Sequence, residues 1–170
     1  MRRYDGEEIY KAIPNRYPWM ILNTLIVEEG VKASGYVKLS PDGWFFQCHF
    51  PGMPVFPATL LVETMTQVFI STFLEERMEL NSADAWEWKP EDIPLLIQVS
   101  GFKMKRALHP GDSVRIDACL HSFKRGIARG ICKAFQLGGD AAEKETLVTE
   151  FEVSHALPSL MSLPQPGGES

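Results

Sequence analysis

The chain has 170 residues, enough for one domain with a substantial core and too few for two of ordinary size. At 45% apolar, 23% charged and 11% aromatic, its composition is that of an ordinary globular protein. A net charge of −5 and a pI near 5.4 exclude the broad positive field by which proteins hold nucleic acid. Basic residues do cluster locally, at Lys103, Lys105 and Arg106 and again at Lys124, Arg125 and Arg129. Such clusters are ordinarily solvated strand faces, although an acidic partner could use them. Cys48, Cys119 and Cys132 are odd in number and lack CxxC spacing, which argues against a disulfide framework and a zinc site. No metal or other cofactor is expected. Acids rather than an apolar run follow Met1-Arg2-Arg3, so no secretory signal is expected. The longest apolar stretch, residues 60–74, is broken by Glu63 and several hydroxyl residues and is not expected to span a membrane. A reducing, cytosolic setting is the default expectation.

In chain order, Ile9, Tyr10 and Ile13 share one side of a short amphipathic piece that Pro14 ends. Met20 to Val27 reads as a strand. Val31, Ala33, Val37 and Leu39 alternate with polar positions, and Glu28-Glu29-Gly30 supplies the turn of a hairpin. Residues 41–57 differ in kind: Pro41, Pro51, Pro54 and Pro57 with Trp44, Phe45, Phe46 and Phe50 make a stiff, packed loop. A helix is expected from Ala58 to about Leu80, with Pro57 suited to its first turn. Its apolar residues cover most of the circumference, the mark of a helix wrapped by other structure. After a polar loop at 81–92 come four strands, at 95–105, 113–123, 126–137 and 146–155, separated by turn signals.

Together these elements predict an α+β architecture, a curved antiparallel sheet of about six strands wrapped around one long central helix. Residues 1–157 are expected to form a single domain and 158–170 a loose tail. A helix covered on one side by a sheet still has a face to protect, so a dimer is expected.

His109 lies in a Pro-Gly turn, and solvent-facing strand positions account for His121 and His155. His49 is different, because the packed aromatic loop can hold its ring in one orientation. On the helix, Thr59, Glu63 and Gln67 are spaced by four with Thr66 beside them, forming a narrow polar stripe. A lone glutamate on a surface helix ordinarily pairs locally or meets water. On an otherwise apolar helix an unpaired carboxylate is costly and calls for a reason, so the local and the chemical explanations stand level. The helix start at Ala58 and Thr59 offers free backbone N–H groups and partial positive charge. An imidazole base, a carboxyl acid and such donors suit removal of a proton beside a carbonyl with departure of a β-hydroxyl. No GxSxG, GxGxxG or GxxxxGK[ST] occurs, which excludes the usual signatures of serine hydrolases and nucleotide binders.

Residues 44–57, read WFFQCHFPGMPVFP, continue through Leu60 to Gln67 as a segment that closely resembles the active-site region of the 3-hydroxyacyl-ACP dehydratases of FabZ/FabA type. Residues 13–19 resemble the opening motif of that family. Phe102 to Arg106 with Pro110-Gly111-Asp112 resembles its later strand and turn, so the likeness runs from about residue 9 to 155. The resemblance implies a hotdog fold and a homodimer, or a trimer of dimers, with the active site shared between two subunits. It places the base on His49 and the acid on Glu63, the latter from the partner chain. It further implies substrate contacts from Ala58, Thr59, Phe50 and Gln67. The substrate would be an acyl group on the phosphopantetheine arm of an acyl carrier protein, landing near Lys103, Lys105 and Arg106.

Three departures stand out. Ala58 replaces the usual glycine, while Asn15 replaces a common histidine and Asn23 an aspartate, the last two read as structural substitutions. Cys48 and the preceding aromatics lean toward the branch that also isomerises the double bond; Glu63 leans away from it, and isomerase activity is not expected. Alternative functions on the same fold are a thioesterase, a CoA-linked enoyl hydratase, or a non-catalytic acyl-binding subunit.

Overall fold

The computed structural model describes residues 1–28, 31–77, 88–138 and 145–161. Its elements are β1 (Arg2–Asp5), α1 (Ile9–Ala12), β2 (Thr24–Glu28), β3 (Lys32–Lys38), α2 (Trp44–Cys48), α3 (Ala58–Arg77), β4 (Leu95–Ser100), β5 (Ser113–Lys124), β6 (Ile127–Leu137) and β7 (Thr146–Ala156). The strands form one antiparallel sheet in the order β1-β2-β3-β5-β6-β7-β4. Period-two alternation decides which face each strand buries. Ala33 and Val37 of β3, Val114, Ile116 and Ala118 of β5, and Ala128, Cys132 and Ala134 of β6 are all buried. Helix α3 packs chiefly on these three strands, enclosing Leu61, Met65, Val68, Phe69, Phe73 and Leu74. The α+β hotdog architecture expected from the sequence is therefore present.

Two glycines let helix and sheet approach this closely. A Cβ on Gly35 would run into Val68 and Leu22, and one on Gly130 would run into Phe69 and the Cys119 carbonyl. Cys132 donates its thiol hydrogen to the Met65 carbonyl across the same contact, 3.6 Å away. The three cysteines are free.

Among the described residues the sheet has seven strands rather than about six. The additional strand, β1, pairs with β2 but is almost wholly exposed, so no alternation announces it. The Thr24 hydroxyl of β2 donates to Asp5 across this edge (2.6 Å), and Asp5 also pairs with Arg3 of its own strand (2.7 Å). The expected strand at 20–27 starts only at Thr24, because Trp19 and Met20 donate their N–H groups to the Arg16 carbonyl in a turn. The strand from Leu95 stops at Ser100 rather than 105, where Gly101 takes φ +77°. The aromatic loop contains a helical turn, α2, whose Phe45 and Phe46 pack edge-on against each other and Phe56 at 4.7–6.4 Å. The turns expected at 28–30 and 138–140 and the end of α3 beyond Arg77 lie largely outside the described residues, as do most of the 81–92 loop and the tail from residue 162. Pro158–Leu160 forms a 3-10 turn seated beside Gly126.

His155 departs from expectation. It does not face solvent but is 4% exposed, with its ring 5.7 Å from that of Phe69. Its Nδ1 has no partner among the described residues, and burial holds its pKa down at about 4. The unfolded chain therefore binds this proton more readily, and stability is complete above about pH 6.5 and declines as pH falls toward 4. At about 1.4 kcal/mol per pH unit the loss across that range is about 3 kcal/mol. Urea unfolding at pH 7 and pH 4 should show it, and His155→Leu should remove most of the difference.

Candidate active site

The loop from α2 to α3 turns back on itself at His49. The His49 N–H donates to the Phe45 carbonyl (3.0 Å) and closes α2. Val55 then engages His49 twice, its N–H donating to the His49 carbonyl at 3.0 Å and its carbonyl meeting ring Nδ1 at 2.9 Å. A carbonyl oxygen only accepts, so Nδ1 carries the hydrogen and neutral His49 has its lone pair on Nε2. Phe50 stacks on the imidazole at 4.0 Å with 27° between planes, completing a clamp of backbone and ring. The ring is half-buried; Phe50 is exposed. A second strip of chain supports this loop from outside. Phe56 donates its N–H to the Leu108 carbonyl (2.8 Å), and His109 Nδ1 meets the Pro54 carbonyl at 3.3 Å.

Helix α3 begins three residues after Val55, at half-buried Ala58 and exposed Thr59. Leu61 donates the first helical bond to the Pro57 carbonyl (3.0 Å), which leaves the N–H groups of residues 58–60 outside the helical ladder. Further along, Thr64, Thr66, Ser71 and Thr72 turn their hydroxyls onto carbonyls of the helix itself at 2.7–2.8 Å, so these polar residues can be enclosed.

Glu63 is half-buried and paired. Its Oε1 accepts from Asn15 Nδ2 and from Gln67 Nε2, each at 3.0 Å. The remaining hydrogen of Gln67 Nε2 goes to the Trp19 carbonyl (3.2 Å), while Gln67 Oε1 is buried without a partner among the described residues. Asn15 is held in turn by Arg16, whose Nη1 donates to the carbonyls of Ile13, Pro14 and Asn15 and whose guanidinium lies 4.8 Å over the Tyr10 ring. Asn15 is therefore more than the structural substitution expected from the sequence: its amide reaches the candidate acid, 48 residues away. Nothing in the local pattern of the opening segment signals this. Asn23 is structural, accepting the Lys38 N–H at 2.6 Å where β2 and β3 meet.

The structure thus brings Glu63 together with Gln67, and His49 together with Phe50. Among the described residues no hydrogen bond joins His49 to Glu63 within one chain. Two clefts, of about 440 and 390 Å³, open on the sheet around Arg115 and Asp117 and around His121 and Arg129. Neither is lined by His49 or Glu63. Of the basic cluster, Lys105 is paired with Glu150 (2.9 Å), Arg106 donates to Gln136 (2.9 Å) and Lys103 is exposed. Among the described residues no helix is long and apolar enough to cross a membrane.

Comparison with known proteins gives this geometry a context. The profile of the FabA-like domain matches residues 13–143. The 3-hydroxyacyl-[acyl-carrier-protein] dehydratase FabZ of Caldicellulosiruptor saccharolyticus is 33% identical over 145 residues, covering 85% of this chain and 96% of that protein. FabZ of Bacillus pumilus is 32% identical, with 83% and 92% covered. Among solved structures, the dehydratase heterocomplex ApeI:P from Xenorhabdus doucetiae superposes with a TM-score of 0.65 at 17% identity, over 88% of this chain and 90% of that one. The TT0310 protein from Thermus thermophilus superposes at 0.56 and 14% identity, over 84% and 98%. These two likenesses carry the fold, while the sequence matches carry the kinship. By that profile and those identities, the chain belongs to the FabA-like family of 3-hydroxyacyl-acyl-carrier-protein dehydratases.

Proposed function

We propose that this chain removes water from a 3-hydroxyacyl thioester on acyl carrier protein, giving the trans-2-enoyl thioester for fatty-acid or polyketide-type synthesis in the cytosol. The observation that carries the mechanism is the double engagement of His49 by Val55, which commits Nδ1 as donor and leaves Nε2 as a base of fixed direction. Nε2 takes the proton from C2 of the acyl group, and negative charge builds on the thioester oxygen. The unsatisfied N–H groups at the start of α3, at Ala58 and Thr59, stabilise that charge. The C2–H electrons then form the C2–C3 double bond as the C3–O bond breaks. Glu63 gives its proton to the departing hydroxyl, which leaves as water. The imidazolium releases its proton and the carboxylate regains one, restoring the start.

Glu63 is to reach His49 of a second copy, so the working unit is a dimer, alone or as three dimers together. The free edge of β4 supports this arrangement. Leu95, Leu96 and Ile97 are 44–54% exposed there, a contiguous apolar edge that the described residues leave open. Phe50 and Met53 are exposed beside His49 as well. Phe50 and Gln67 would border the acyl path. Lys103, with the neighbouring Lys105 and Arg106, would meet the acidic carrier.

With carrier-bound 3-hydroxybutyrate, enoyl absorbance should rise without release of free thiol. Thiol release instead would indicate a thioesterase. His49→Ala should lower kcat by about a thousandfold and Glu63→Gln by about a hundredfold, with unchanged circular dichroism. Full activity in the His49 variant would remove it from the mechanism. Long-range proton–nitrogen correlation spectra of neutral His49 should place the hydrogen on Nδ1. Because alanine keeps the backbone donor, Ala58→Gly should leave kcat within about threefold.

A further inference from the structure

Glu63 presents its two oxygens to different surroundings. Oε1 takes amide hydrogens from Asn15 and Gln67, both at 3.0 Å. An oxygen that accepts two N–H donors has little room for a hydrogen of its own, so the proton of the neutral acid belongs on Oε2. Both donors are carboxamides that do not titrate, and the bonds can persist whether the acid is protonated or ionised. Neither donor is free to drift. Gln67 is 1% exposed and tied to the Trp19 carbonyl. Asn15 follows Pro14, and Arg16 gathers the three carbonyls of residues 13–15 onto one guanidinium nitrogen. Arg16 is the charged side chain next to Asn15, and its guanidinium is engaged with those carbonyls and the Tyr10 ring. Thr59, Thr66 and Gln67, the neighbours of Glu63 on α3, are uncharged.

We propose that Asn15 is a positioning residue for the dehydration: with Gln67 it fixes Oε1 of Glu63, so that Oε2 is the oxygen that carries the proton and delivers it to the departing hydroxyl. The inference rests on the assignment of Glu63 as the acid. It adds a residue from the opening segment that acts on the reaction only through that carboxyl.

The test uses the full chain, acyl-carrier-bound 3-hydroxybutyrate, and pH–rate profiles of the wild type, Asn15→Ala and Asn15→Asp. Asn15→Ala should lower kcat about tenfold with KM within about twofold and the melting temperature nearly unchanged, as for loss of one hydrogen bond to an ionisable group. Asn15→Asp sets a second carboxyl against the first. Like charge makes Glu63 keep its proton to higher pH, so the limb on which activity falls as pH rises should move up by at least about half a pH unit. Unchanged kcat in Asn15→Ala, or an unmoved limb in Asn15→Asp, overturns the proposal, as does a loss of rate that simply tracks a loss of melting temperature. A wild-type chain that produces no enoyl thioester overturns the dehydratase assignment itself, a Glu63→Gln variant with full activity overturns the assignment of Glu63 as the acid, and this inference falls with either.

Discussion

Helix α3 must be kept from water on nearly every side, since Leu61, Met65, Val68, Phe69, Phe73 and Leu74 leave it no broad polar face. A single helix cannot hide such a surface, and a flat sheet covers only one flank. The molecule meets the constraint with a seven-stranded sheet whose small inward residues, Ala33, Ala118, Ala128 and Ala134, let the helix settle deeply. Gly35 and Gly130 remove the last obstructions. Close packing of this kind fixes the helix axis and its rotation, and therefore the direction of every side chain it projects.

The polar stripe of α3 gains its meaning from that rigidity. Hydroxyl residues on the helix satisfy themselves on its own carbonyls, whereas Glu63 and Gln67 turn outward to meet the segment after α1. His49 is oriented by quite different means. Its loop is held by backbone bonds to Val55 and by the Phe45–Phe46–Phe56 cluster beneath it. The proposed base is thus set by a clamped loop and the proposed acid by a buried helix, two supports that can be tuned separately.

Much of this is legible in the sequence because its signals are periodic. Alternation in β3 and β5 marks both strands, and the encircling apolar pattern of α3 marks a wrapped helix. Strand β1 is not legible: an edge strand exposed on both faces has no alternation to read, and its pairing is a backbone ladder to β2 with the Thr24 hydroxyl donating to Asp5 across it. His155 escapes for a related reason, since near the end of β7 Ser154, His155 and Ala156 are buried in succession and the two-residue rhythm fails. The Asn15–Glu63 contact is hidden more deeply, because hydrogen bonds between residues 48 apart leave no trace in local pattern. The family motif points to His49 and Glu63 as candidates, but not to what holds them.

The direct seating of α3 on the sheet has a further consequence for selectivity. Phe69 lies against Gly130, and Met65 receives the thiol of Cys132, so among the described residues helix and strands touch directly at these two points. A long hydrocarbon tail has no berth inside that contact. Exchanging side chains within that contact would disturb the core before it changed any acyl path, so chain-length preference is better sought in residues outside it.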